Sequence, residues 1–335
     1  MIRTFLPSRR SLFTFNLGRS TPVEQWLRVH RTAMACRFEV TLFADDARHI
    51  DAARAALDEA GRIEAVLTVF RESSELSRIN GHAAGAPEPA GSELFALLTR
   101  CQDLHAATGG VFDITSTPLS RCWGFLEREG RVPPDADIDT ARRSVGMKRV
   151  VLDATARTVR FTQPAMQLNL GSIGKGYALD RMGQLLRRDG VKRALVSAGG
   201  SSVLAIGGPG RGWTIDVTSP QLHSRIARLR LRDGALGTSG AGEQFFVADG
   251  RDGTRYGHVI DPRTGWPARG VLSASVVTRH AETADALSTA FLVGGVELAD
   301  RYCRSHAGVL ALVTPDDETA RTRVFGHYAG ARLEI

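Results

Sequence analysis

The stretch from Arg279 to Gly295, RHAETADALSTAFLVGG, constrains the chain more than any other. Ala284, Leu287, Ala290, Phe291 and Leu292 recur at helical spacing, so the segment reads as a helix with most of its surface buried. Two polar residues interrupt it. Asp285 and Thr289 stand four apart, one turn along the same side, where a carboxylate and a hydroxyl can converge on one point. Two hard oxygen donors suit a magnesium ion that keeps its other positions for water and phosphate. The pair also has a plainer reading, in which Asp285 caps something and Thr289 bonds back to its own helix.

With 335 residues, 43% of them hydrophobic, the chain can bury a sizeable core in one or two domains. No apolar run approaches ~18 residues, so no transmembrane segment is expected. Of the net charge of +7, six arginines against Glu24 place +5 in the first 31 residues. That composition predicts a basic, loosely ordered leader over residues 1–30. Its twin arginines, Arg9 and Arg10, precede neither a long apolar region nor a small-residue cleavage site. Cytoplasmic residence is the expectation, with export an alternative that the leader supports poorly. Cys36, Cys101, Cys122 and Cys303 lack ligand spacing and read as ordinary thiols. Outside that leader no aromatic residues interleave a basic patch, and a solvated tail is the plainer reading of the leader itself, so nucleic acid is not an expected partner.

Along the chain, Arg37 to Phe43 alternates like a half-buried strand, and Asp51 to Leu67 is a helix that packs on it. Phe70 to Asn80 reads as a polar loop, and Ser92 opens a second helix closed by Gly109 and Gly110. The acidic stretch PPDADID reads as surface, and Lys148 to Leu152 with Thr158 to Thr162 as a hairpin. From Met166 a short strand runs into glycines at 171, 174 and 176 and then a helix ending in Arg187 and Arg188. Such a turn can cradle phosphate, because N–H groups at a helix start point outward, although a lone glycine-rich turn is more often merely a tight connection. Its spacing matches neither the P-loop nor the dinucleotide fingerprint. Short strands follow at Ala194 to Ser197, Val203 to Ile206, Trp213 to Val217, Ile226 to Leu231, Ser273 to Val277, Val309 to Val313 and Arg323 to Phe325. Recurring hairpins without strict βαβ order favour a mixed or α+β architecture.

Several motifs stand in a telling order: MAC at 34–36, VFRESSELSRIN at 69–80, GGVFDIT at 109–115, NLGSIGKGYALD at 169–180, SAGG at 197–200, TSGAGEQFF at 238–246, HVIDPRTGWP at 258–267 and ETADALSTA at 282–290. Together they resemble the ApbE family, the FAD:protein FMN transferases or flavin transferases, over about residues 30 to 330. The resemblance implies a single α+β domain over residues 31–335, with a T-fold-like core and mixed, mostly antiparallel sheets with packed helices. It implies FAD as substrate and Mg2+ as cofactor. The implied reaction moves FMN to a threonine or serine hydroxyl of an acceptor flavoprotein subunit and leaves AMP.

Carried over residue by residue, the resemblance implies metal ligation by the side chains of Asp285 and Thr289 and the backbone carbonyl of Ser172. It implies FAD contacts at Met34, Phe70, Val111, Phe112, Asp113, Asn169, Lys175 and Ile260. Phe70 offers a face for stacking and Lys175 charge for phosphate; plain core packing is the other reading of Phe70 and Phe112. The resemblance implies His258 as general base, a role that an imidazole of ordinary pKa about 6.5 can fill at neutral pH; a ring satisfied by the neighbouring turn is the other reading. Asp261 in the adjoining turn is a candidate for fixing its aim. Asn169 and Ser201 stand where the family pattern has aspartates, which removes negative charge near the expected nucleotide. The alternatives to transfer are hydrolysis of the FAD pyrophosphate to FMN and AMP, or FAD binding without catalysis.

Overall fold

The computed structural model describes residues 6–7, 13–15, 25–219, 224–242, 244–248 and 253–334. Much of the expected leader lies outside them; within them, Leu6–Pro7 (β1), Phe13–Phe15 (β2) and Trp26–Ala33 (β3) are strands. The α+β expectation holds, with antiparallel sheets and seven α-helices among the described residues. Contacts gather the chain into two compact units. One comprises Arg9–Glu64, Gly171–Gly240 and Val271–Ile335; the other comprises Met1–Ser8, Ala65–Leu170 and Ala241–Gly270.

The first unit is built on an eight-stranded sheet. Its order is β17 (Arg323–Gly326), β16 (Leu310–Pro315), β15 (Val271–Thr278), β12 (Gly234–Gly240), β9 (Ser202–Ile206), β8 (Ala194–Ala198), β4 (Cys36–Phe43) and β3. A four-stranded sheet joins β18 (Ala331–Glu334), β11 (Ser224–Leu231), β10 (Trp213–Ser219) and β2. Alternation sorts each strand between two faces. Val203, Ala205, Leu236, Val277 and Leu312 share one core with Trp213, Ile215, Val217, Leu229 and Leu231 of the smaller sheet. In the expected Arg-apolar strand, Ala227, Leu229 and Leu231 go inward while Arg228 pairs outside with Asp216 at 2.7 Å.

Gly183 of helix α6 (Gly174–Arg188) lies against Leu204 of β9, and Gly237 of β12 meets the backbone of Ala284 in helix α7 (Ala281–Ser305). A Cβ on Gly237 would stand 2.6 Å from the Ala284 carbonyl. The expected end is met by a break: Gly295, at φ 72° and ψ −168°, leaves the helical conformation, and a second helical stretch follows to Ser305 with Leu298, Ala299 and Tyr302 buried. The apolar residues predicted to lie inside, Ala284, Leu287, Ala290, Phe291 and Leu292, are all buried. Helix α1 (Ile50–Leu67) agrees with its expected span to within a residue.

The second unit holds two three-stranded sheets, β5 (Glu88–Pro89) with β7 (Thr158–Phe161) and β6 (Val150–Asp153), and β1 with β13 (Gln244–Val247) and β14 (Arg255–Gly257). Its helices are α2 (Glu75–His82), α3 (Ser92–Ala107), α4 (Thr117–Cys122) and α5 (Asp135–Arg143). Three readings are corrected here. Half of the expected polar loop at 70–80 is α2, capped when the Ser74 hydroxyl accepts the Ser77 N–H and anchored by buried Leu76 and Ile79. The acidic surface stretch is α5, whose Ile138 enters a core with Trp123, Phe246 and Tyr256. Met166–Leu170 is not a strand; Asn80 bonds both the N–H and the carbonyl of Leu168, and the Asn169 N–H donates to Ile114.

Candidate active site

α6 begins without a side-chain cap of its own. The Gly176 N–H instead donates to Asp285 Oδ2 at 3.0 Å, from α7, and the Ser202 hydroxyl donates to Oδ1 at 2.9 Å. The plainer reading of the Asp285 and Thr289 pair is thus realised: Asp285 caps a neighbouring helix, and Thr289 reaches back to the Asp285 carbonyl at 3.4 Å. Thr289 also lies 3.1 Å from Ser239, which in turn lies 2.9 Å from Ser288. Lys175 Nζ donates to Ser201 at 2.7 Å. Asp285 is 4% exposed, and burial pushes its carboxyl above the ordinary range against the pull of Lys175 and of its two hydrogen bonds.

That donor set suits a hard cation. Asp285, Thr289 and the serines around them offer oxygen alone, and each carboxylate oxygen has a lone pair beyond the hydrogen bond it accepts. Among the described residues no three His, Cys, Asp or Glu cluster as a zinc or iron cage would need. One carboxylate with neutral oxygens fits a magnesium ion that retains water or phosphate ligands. Ser172 lies in the turn 171–173 that leads into α6.

Met34 and Ala35 form the two-residue turn between β3 and β4, both with left-handed backbones at φ 48° and 56°. Hairpins favour that geometry, but most turns that adopt it use Asn or Gly. The adjoining Cys36 feels Lys175, Asp285 and Glu64, while burial pushes its thiol up to about 11. The hairpin thus brings Cys36, at the start of β4, within electrostatic reach of Lys175 and Asp285.

The other candidates belong to the second unit. Phe70 is 79% exposed, so core packing fails for it. It lines a cleft of about 920 Å3 with Arg78, Asn80, Thr117, Arg121 and Gln167. Val111 and Phe112 are buried, so for Phe112 the core reading holds. Asp113 accepts hydrogen bonds from the Thr115 N–H and hydroxyl and the Met147 N–H, which ties the loop after α3 to the segment before β6.

His258 Nδ1 is 3.2 Å from the Gln244 carbonyl, which also accepts the His258 N–H at 3.0 Å. A carbonyl can only accept, so this bond places the proton on Nδ1 and leaves the basic lone pair on Nε2. Asp261 secures the turn rather than the ring, since its carboxylate holds the Arg263 N–H and guanidinium. The turn is closed further by Gly265 at φ 80°, whose carbonyl accepts the Trp123 Nε1–H at 2.8 Å, and by a bridge between Ile260 and Pro267. Ser202, Ser239 and Asp180 were not singled out from the sequence, because their partners lie dozens of residues away.

The family model described as "ApbE family" matches residues 34–313. A FAD:protein FMN transferase of Treponema pallidum is 34% identical over 289 residues, covering 80% of this chain and 79% of the relative. One from Vibrio cholerae is 30% identical over 258 residues, covering 75% and 76%. The crystal structure of an ApbE protein from Thermotoga maritima superposes with a TM-score of 0.80 at 31% identity, over 90% of this chain and 97% of that one. The apo flavinyl transferase ApbE of Pseudomonas stutzeri gives a TM-score of 0.75 at 27% identity, over 91% and 96%. Motifs, fold and extent of match agree, and the chain belongs to the ApbE family.

Proposed function

We propose that this protein transfers FMN from FAD to a threonine or serine hydroxyl of an acceptor protein, releasing AMP. The observation that carries the reading is Asp285, a buried carboxylate at the start of α6 with Lys175 beside it, in a chain whose relatives are named FAD:protein FMN transferases. The acceptor oxygen attacks the FMN-side phosphorus as its proton passes to His258 Nε2. The bond from that phosphorus to the bridging oxygen breaks, and AMP leaves with that oxygen. Asp285, Thr289 and the Ser172 carbonyl would hold Mg2+, which supplies positive charge to the pyrophosphate. Lys175 adds a second positive charge to the phosphates. Met34, Phe70, Val111, Asp113, Asn169 and Ile260 contact FAD, with Phe70 offering its exposed ring for stacking.

The test is incubation with FAD, MgCl2 and candidate acceptors, read by covalent fluorescence in a denaturing gel and by the mass gain of one FMN. AMP release without acceptor would show hydrolysis instead, and FAD binding with neither product would show a carrier. His258→Ala is expected to slow transfer roughly 100- to 10,000-fold while FAD affinity stays near wild type. Equal loss of FAD binding would assign the ring a structural role.

A further inference from the structure

The contact between α6 and α7 holds a second buried carboxylate. Asp180 stands four residues after Gly176, on the same side of α6. Its Oδ1 accepts the Ala281 N–H and its Oδ2 the Glu282 N–H, both at 2.9 Å. These are the first two residues of α7, and His280, which precedes them, makes no side-chain cap bond. One turn further along α7, Asp285 returns a carboxylate to the Gly176 N–H in the first turn of α6. Each helix therefore caps the start of the other.

The exchange is close. A Cβ on Gly176 would stand 2.1 Å from the Ala281 carbonyl oxygen, so the two backbones touch where the carboxylates cross. Burial pushes Asp180 up to about 6 despite both backbone bonds. An ionised group held against that penalty is a costly way to join two helices, for which apolar packing would serve. Two bonds to consecutive N–H groups add what packing does not, a set rotation and translation of one helix against the other.

We infer that Asp180 is the positioning residue of the Asp285 cation site: by gripping the first two N–H groups of α7 it sets the direction in which Asp285 and Thr289 present their oxygens. The inference rests on the proposed role of that site. Its test measures Mn2+ binding calorimetrically, without FAD, in wild type, Asp180→Asn, Asp180→Ala and Leu298→Ala. Leu298 is buried beyond the Gly295 kink and serves as a control for general loosening of α7. The Asp180 variants are expected to keep a wild-type circular dichroism spectrum and to bind Mn2+ about 10- to 100-fold more weakly, with Leu298→Ala near wild type. Should the alanine variant unfold, Asp180→Asn, which keeps one acceptor oxygen, carries the comparison. Wild-type affinity in a folded Asp180 variant, or equal loss in Leu298→Ala, overturns the inference alone. Absence of Mn2+ binding by the wild type overturns the cation reading, and this inference with it.

Discussion

Asp285, the carboxylate proposed to hold the metal, already has structural work. Its oxygens cap α6 and hold Ser202, and those bonds offset only part of what burial costs the charge. Asp285→Asn removes the penalised charge while keeping an acceptor. Its melting temperature is expected within a few degrees of wild type, with FMN transfer reduced roughly 100-fold or more. A collapse in melting temperature with proportionate loss of activity would mean that the residue is mainly structural. Sequence spacing revealed that Asp285 and Thr289 share a helix side. It could not reveal which groups face them, because Gly176 is 109 residues from Asp285 and Ser202 is 83. Phe70 and Phe112 make the same point: alike as letters, one is 79% exposed beside a cleft and the other 2% exposed in the core.

At the scale of elements, two close approaches decide how α7 sits. Gly176→Ala would drive a methyl into the Ala281 carbonyl, which belongs to backbone and cannot swing aside. A loss of about 2–4 kcal/mol in urea denaturation is expected, and an unchanged midpoint would refute the contact. Asp180 gives a pH signature. Burial raises it from 3.8 to about 6, so the folded chain binds this proton more tightly than the unfolded one. The stability it contributes is present below about pH 4 and is lost as pH rises through about 6. Relative to Asp180→Asn, wild type is expected to lose on the order of 2 kcal/mol across that window in denaturation at stepped pH; a flat difference would sink the assignment. Periodicity found α1, α3 and α7 because each is long and keeps an apolar face. α2 and α5 escaped it, having eight and nine residues with only Leu76 and Ile79, or Ile138, turned inward.

For the whole molecule, ligand linkage offers a test independent of the acceptor. If the native chain binds FAD with Mg2+, a concentration 100-fold above Kd should stabilise it by about 2.7 kcal/mol, seen as a rise in melting temperature. No shift at any FAD concentration would count against the proposed substrate. By itself the sequence determined the alternation of strands, the buried side of α7, the one-turn spacing of Asp285 and Thr289, and a motif order dense enough to mark the family. These are local periodicities and collinear patterns, which survive in a string of letters. Only the tertiary structure decided that the eight-stranded sheet runs β17-β16-β15-β12-β9-β8-β4-β3, and that Asp180 and Asp285 cap each other's helices across about a hundred residues. Such pairings follow from which backbone donors are left unsatisfied once the layers have packed, and that is a property of the folded chain as a whole.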